Sequence, residues 1–131
     1  MAFNTGISIL PGYVTPLTHN KYLMHFDRTG PASYTRVTAG AVPTGGDLMN
    51  ALDVGMGGFD NVDSMLDTTG QLYIQVIPLN GGYGNAVPSV ILKWFSAVTA
   101  TVGGQSQTLG NEVAAGTNLS TFSIRMQAIM V

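Results

Sequence analysis

Phe122-Ser123-Ile124-Arg125-Met126-Gln127-Ala128 alternates apolar and polar side chains without a break. A period of two sends Phe122, Ile124, Met126, Ala128 and, beyond them, Met130 to one face, and Ser123, Arg125 and Gln127 to the other. The stretch reads as a β-strand with one buried face. Ile129 falls on the polar side, so the end of this strand is expected to be covered on both sides, by a neighbouring subunit.

Working outward, Gln71-Leu72-Tyr73-Ile74-Gln75-Val76-Ile77 is a second strand, stopped by Pro78 and the turn Asn80-Gly81-Gly82. A third runs from about Ser89 to Val102. Its apolar residues fall on both parities, as in a strand covered on both faces. Gly103-Gly104 turns the chain, and the polar stretch from Gln105 to Asn118 holds one weak strand. In the first half, Ile7 to Leu10, Lys21 to Phe26 and Ser33 to Thr38 are short strand candidates. Pro11-Gly12, Thr29-Gly30-Pro31 and Pro43-Thr44-Gly45-Gly46 read as turns. Asp47 to Leu52 is expected to form one short helix, N-capped by Asp47 and ended by Gly55. Gly55 to Thr69, rich in Gly and Asp, reads as loop.

The expected fold is all-β: an antiparallel β-sandwich, of which a jelly roll is one member, with at most one short helix near residues 47–53. The 131 residues suit a single domain, 1–131, with a looser N-terminal segment. A single glutamate, Glu112, and few lysines argue against long surface helices.

Charged residues make up 9 % of the chain, against about 25 % in ordinary domains. The exterior is therefore built of hydroxyl, amide, glycine and apolar groups, whose association costs little desolvation of charge. This composition points to a homo-oligomer. The net charge is −2, and the five basic residues, Lys21, Arg28, Arg36, Lys93 and Arg125, are scattered. A phosphate backbone needs several on one face, so no nucleic-acid partner is expected. With no cysteine, thiol catalysis and Cys-based metal sites drop out. The beginning Met1-Ala2-Phe3-Asn4 has no basic region and no apolar core of a signal peptide, and no apolar run is long enough for a membrane span. Synthesis in a cytoplasm is expected, and no membrane partner.

Asp47, Asp53, Asp60, Asp63 and Asp67 cluster within 21 positions. Calcium takes six to eight oxygens, but this spacing is not that of an EF-hand, and turn capping accounts for it better. His19 and His25 would share a face only if one strand held both; polar surface roles suit them better than metal binding. There is no Gly-x-Ser-x-Gly elbow and no phosphate-binding glycine loop. No catalytic, cofactor or metal residue is assigned, and the chain reads as non-enzymatic. Trp94, in the most apolar strand, reads as core. Tyr83, in Asn80-Gly81-Gly82-Tyr83-Gly84-Asn85, is the best aromatic for a sugar. Met126 and Met130 read as core, whereas Met24, Met49, Met56 and Met65 fall in irregular regions, where an adaptable side chain fills uneven contacts.

The cysteine-free, charge-poor chain, its opening Met1-Ala2-Phe3-Asn4 and its closing strand Ser123-Ile124-Arg125-Met126-Gln127-Ala128-Ile129-Met130-Val131 resemble the capsid decoration (cement) proteins of tailed bacteriophages. The resemblance implies a β-rich subunit, often trimeric, on the outer surface of a virion, bracing the major capsid protein lattice. A glycan- or receptor-binding β-sandwich, such as a head-fibre or tail adhesin subunit, is the alternative. On either reading the expected contact residues are Phe3, Met56, Phe59, Met65, Tyr83, Ile129 and Val131.

Overall fold

The computed structural model describes residues 7–17, 19–67, 71–79, 86–96, 100–107 and 110–131. The fold is all-β and antiparallel, as the alternation predicts. One sheet has the order β1-β2-β9-β4 and is made of Ile7–Pro16, Tyr22–Thr29, Ser123–Met130 and Phe59–Asp67. A second has the order β3-β6-β5, from Asp47–Asn50, Ser89–Ser96 and Leu72–Leu79. A small ribbon pairs β7 (Ala100–Val102) with β8 (Gln105–Gln107). The strands divide four, three and two, where a jelly roll would set eight strands in two sheets.

The quoted C-terminal stretch is β9, and it is central to its sheet. Met24, Phe26 and Arg28 of β2 pair with Ala128, Met126 and Ile124, and all six are buried. Against them the inner face of β6 sets Val90, Leu92 and Trp94, with Trp94 wholly buried. The β1–β2 turn holds His19 and Asn20 at φ 62° and 59°, the left-handed pair of a tight hairpin. His19 is thus a turn residue and His25 a strand residue, so they do not share a strand.

Three expectations are corrected. Asp47 to Leu52 is not a helix: Asp47–Asn50 is β3, and Ala51–Val54 is a single 3₁₀ turn capped by Asn50. Gly55 does end it, in the left-handed conformation at φ 80°. The pattern misleads because β3 turns Asp47 inward and Leu48 outward, the reverse of the usual polarity. Residues 55–69 are not all loop, because Phe59–Asp67 is β4. Register shifts between Phe59 and Asn61 and between Ser64 and Leu66 insert extra residues. Such bulges break the period of two, so Phe59 and Val62 pair with Met130 and Ala128 on the inner face although three positions separate them. Ser33 to Thr38 is not a strand; Thr38 only bridges Thr44, each amide donating to the other's carbonyl at 2.8 and 3.2 Å.

Two expected stops lie inside strands. Pro11-Gly12 falls within β1, where the register shifts between Ile9 and Val14. Pro78 falls within β5, opposite Val90, on the edge of its sheet, where a missing N–H costs no ladder bond.

The sheets are tied across the core by an ion pair. Arg28, on β2, reaches Asp47, on β3, with both side chains almost fully buried. Its Nε donates to Oδ2 at 3.3 Å, its Nη2 to Oδ1, and Trp94 Nε1 adds a third bond to Oδ2 at 3.3 Å. Nη1 is buried without a protein partner. Removing one member of such a pair strands the other charge in a low-dielectric interior. Asp47→Ala is therefore expected to cost about 3–5 kcal/mol, whereas the double change Arg28→Met with Asp47→Leu recovers most of the loss. Urea unfolding followed by Trp94 fluorescence measures both.

Candidate functional site

The expected contact residues separate. Phe3 and Tyr83 lie outside the described residues, as does the side chain of Met65. Phe59 is corrected: at 2 % exposure it is core, held at the start of β4 by paired backbone bonds with Val87 at 2.7 and 2.8 Å. Met56 is half-buried against the core. Ile129 is half-buried on the outer face of the four-stranded sheet, beside Leu23, its partner on β2. Val131 is 38 % exposed.

Met56 and Val131 come together. Gly57 and Gly58 both donate to the Val131 carbonyl, at 2.8 and 3.3 Å, and Val131 N donates back to Gly58 at 3.0 Å. The same end of the sheet holds Tyr22, opposite Met130, and Pro16, opposite Tyr22. Leu17 is tied there by its amide, which donates to the Lys21 carbonyl at 2.7 Å. The 3₁₀ turn packs against β1 and carries Leu52. Among the described residues, Leu52 is the most exposed large apolar side chain, at 76 %, and Val14, Leu17 and Tyr22 are each more than a third exposed. Apolar surface thus gathers at one end of the sandwich, next to Val131. The signal in the sequence is weak, because these residues are neither consecutive nor in one strand. The turn at His19-Asn20 and the Val131–Gly58 bonds bring them together.

The charges are mostly spoken for. Lys21 Nζ binds Asp60 at 2.7 Å, Arg125 binds Asp27 at 3.0 Å, Arg36 binds Glu112 at 3.1 Å, and Arg28 binds Asp47. Asp53 accepts from the Asn50 amide at 3.2 Å. Asp47, Asp53 and Asp60, close in sequence, therefore each serve a different partner. Among the described residues, no three His, Asp or Glu side chains gather as metal ligands.

Glu112 does structural work. It accepts from Tyr34 Oη at 2.9 Å, from Val37 N at 2.8 Å and from Arg36. Tyr34 Oη in turn accepts the Trp94 amide at 3.2 Å. That amide falls where β3 has ended and the next edge partner, Val113, has only begun by donating to the Trp94 carbonyl. Burial, with the Glu112 carboxylate beside it, pushes the Tyr34 hydroxyl well above its ordinary value.

Between β4 and β5 lies a cleft of about 200 Å³ lined by Phe59, Val62, Val76, Pro78, Val87 and Val90, with Asp60 and Asn61. On the outer face of the three-stranded sheet, Tyr73 stacks on its cross-strand partner Phe95, with centroids 5.0 Å apart and planes at 6°. Lys93 Nζ stands 5.3 Å from the Phe95 centroid. Comparison with protein-family models, with curated proteins and with solved structures finds no match.

Two outcomes follow from this geometry. Leu17→Asn and Leu52→Asn are expected to change folding stability by less than about 0.5 kcal/mol, since neither contributes to the core, while lowering the binding of a hydrophobic dye; denaturant unfolding and dye fluorescence check this. Tyr34 keeps its proton in the fold beyond the ordinary tyrosine value of 10.0. Its contribution to stability is full below that value and declines as pH rises towards the raised one. Unfolding midpoints taken from pH 8 upward are expected to fall above about pH 10, and to fall less steeply in Tyr34→Phe.

Proposed function

We propose that this chain is a non-enzymatic structural subunit of a virion, a capsid decoration or cement protein of a tailed bacteriophage that binds the assembled major capsid protein lattice. The observation that carries the reading is the apolar end formed by Val14, Leu17, Tyr22, Leu52 and Val131, all partly or largely exposed. Exposed apolar groups gathered on one surface mark contact sites rather than random exposure. Four of the five basic side chains, Lys21, Arg28, Arg36 and Arg125, already serve ion pairs within the chain. That favours recognition by shape and apolar contact over recognition of phosphate. A subunit that binds the assembled shell and not its free protein stabilises the shell by mass action, and repetition over the lattice adds avidity.

A second reading, a glycan- or receptor-binding module, is favoured by one feature, the exposed Tyr73 stacked on Phe95 beside Lys93. Aromatic faces of this kind accept the apolar side of a sugar ring.

The test is co-sedimentation with empty shells built from the capsid protein of the same genome. Saturable binding, weakened about tenfold or more by Leu52→Asn combined with Leu17→Asn, supports the decoration reading. Absence of shell binding, together with a glycan-array signal lost in Tyr73→Ala, replaces it with the adhesin reading.

A further inference from the structure

The two exterior faces of the sandwich differ in kind. The face formed by β2, β9 and β4 is mostly polar, apart from the neighbouring pair Leu23 and Ile129. Its cross-strand rows are His25 with Gln127 and Asp63, and Asp27 with Arg125. The opposite face, formed by β5 and β6, carries Tyr73 and Gln75 across from Phe95 and Lys93; further along, the Gly46 backbone lies against Ile91, which is buried. Lys93 is the one charged side chain in those rows.

The ion pairs described above use up nearly all the charge. Among the residues whose side chains are described, Lys93 is the one basic group without a carboxylate partner, and Asp63 is the one acidic group with neither an ion pair nor a hydrogen bond. These two stand on opposite faces of the same sandwich. Asp63 lies two positions along β4 from Asn61, whose β9 partner is Ile129. An unpaired anion therefore borders the half-buried apolar pair Leu23 and Ile129, just as an unpaired cation borders Tyr73 and Phe95.

We propose that copies of this chain associate head to tail, the Tyr73–Lys93 face of one copy docking on the Ile129–Asp63 face of the next. Charge complementarity selects this occupant over the alternatives. Two Tyr73–Lys93 faces brought together would oppose like charges, as would two Asp63 faces, and both arrangements are disfavoured. The head-to-tail contact pairs lysine with aspartate and covers both apolar clusters. Because the two faces lie on opposite sides of one sandwich, repetition builds an open stack rather than the closed trimer that the resemblance to decoration proteins implies. The proposal rests on the building-block reading above, but it uses different surfaces, since the apolar end stays free to meet another partner.

The test is sedimentation velocity of the full chain across a concentration series at low and high salt, with shell binding measured in parallel. The wild type is expected to form a ladder of species beyond two copies, shortened by salt. Lys93→Asp and Asp63→Lys are each expected to weaken association about tenfold. Circular dichroism checks that both fold. Mixing the two variants is expected to restore the ladder, because alternating copies then pair opposite charges at every junction. A fold defect cannot produce that rescue.

A wild type that stays at one copy, or stops at two, overturns the stack, and so does a mixture that fails to reassemble. A glycan-array signal lost in Tyr73→Ala assigns the face to a sugar and overturns it as well. Shell binding without self-association refutes the stack while leaving the decoration reading standing. Self-association without shell binding does the reverse.

Discussion

The buried pair of Arg28 and Asp47 is the constraint on which the rest of the architecture depends. It joins the inner face of β2 to the inner face of β3, and so joins one sheet to the other at a position where apolar contact alone would leave their alignment loose. A buried ion pair gives little net stability compared with well-packed apolar side chains. Its effect is to fix geometry: the forked guanidinium and the Trp94 ring nitrogen meet the same carboxylate, and only one placement of β3 against β6 satisfies both. Trp94 is thereby positioned twice, by its ring through Asp47 and by its amide through Tyr34. The chain's single glutamate completes the second link by holding the Tyr34 hydroxyl.

Much of the architecture can be read in the residues. Where one face is buried and the strand is regular, as in β9 and β5, alternation locates the element and its inward side; in β6, apolar residues on both parities mark a strand covered on both faces. The reading fails where physical chemistry inverts or interrupts that alternation. In β3 a charge points inward because its partner waits across the core, and local sequence carries no sign of a residue nineteen positions earlier. In β4 two bulges reset the parity, so aspartates and glycines look like loop. Leu119 and Val113, both fully buried, belong to no strand, and no period could have marked them as core.

The exposed apolar end is less legible, for a related reason. Val131 and Met56 are far apart in the sequence, and the structure joins them through Gly57 and Gly58. No pattern in the sequence marks Leu17, Tyr22 and Leu52, because their exposure depends on where a hairpin and a 3₁₀ turn end relative to one another. Phe59 was misjudged because its neighbours in sequence are glycines and an aspartate, while its neighbours in space are Met130 and Val87. Among the described side chains, the unpaired standing of Lys93 and Asp63 becomes visible only after the ion pairs across the sheets are matched.

Two of the four edge strands of the larger sheets, β4 and β5, carry one more consequence. Each is an edge strand and each is interrupted, β4 by its two bulges and by the Phe59–Val87 bridge, β5 by Pro78. Uninterrupted borders of this kind template cross-β growth when many copies are crowded together. Here neither of these two borders offers an unbroken ladder, which disfavours such growth in a chain with so little electrostatic repulsion to keep copies apart.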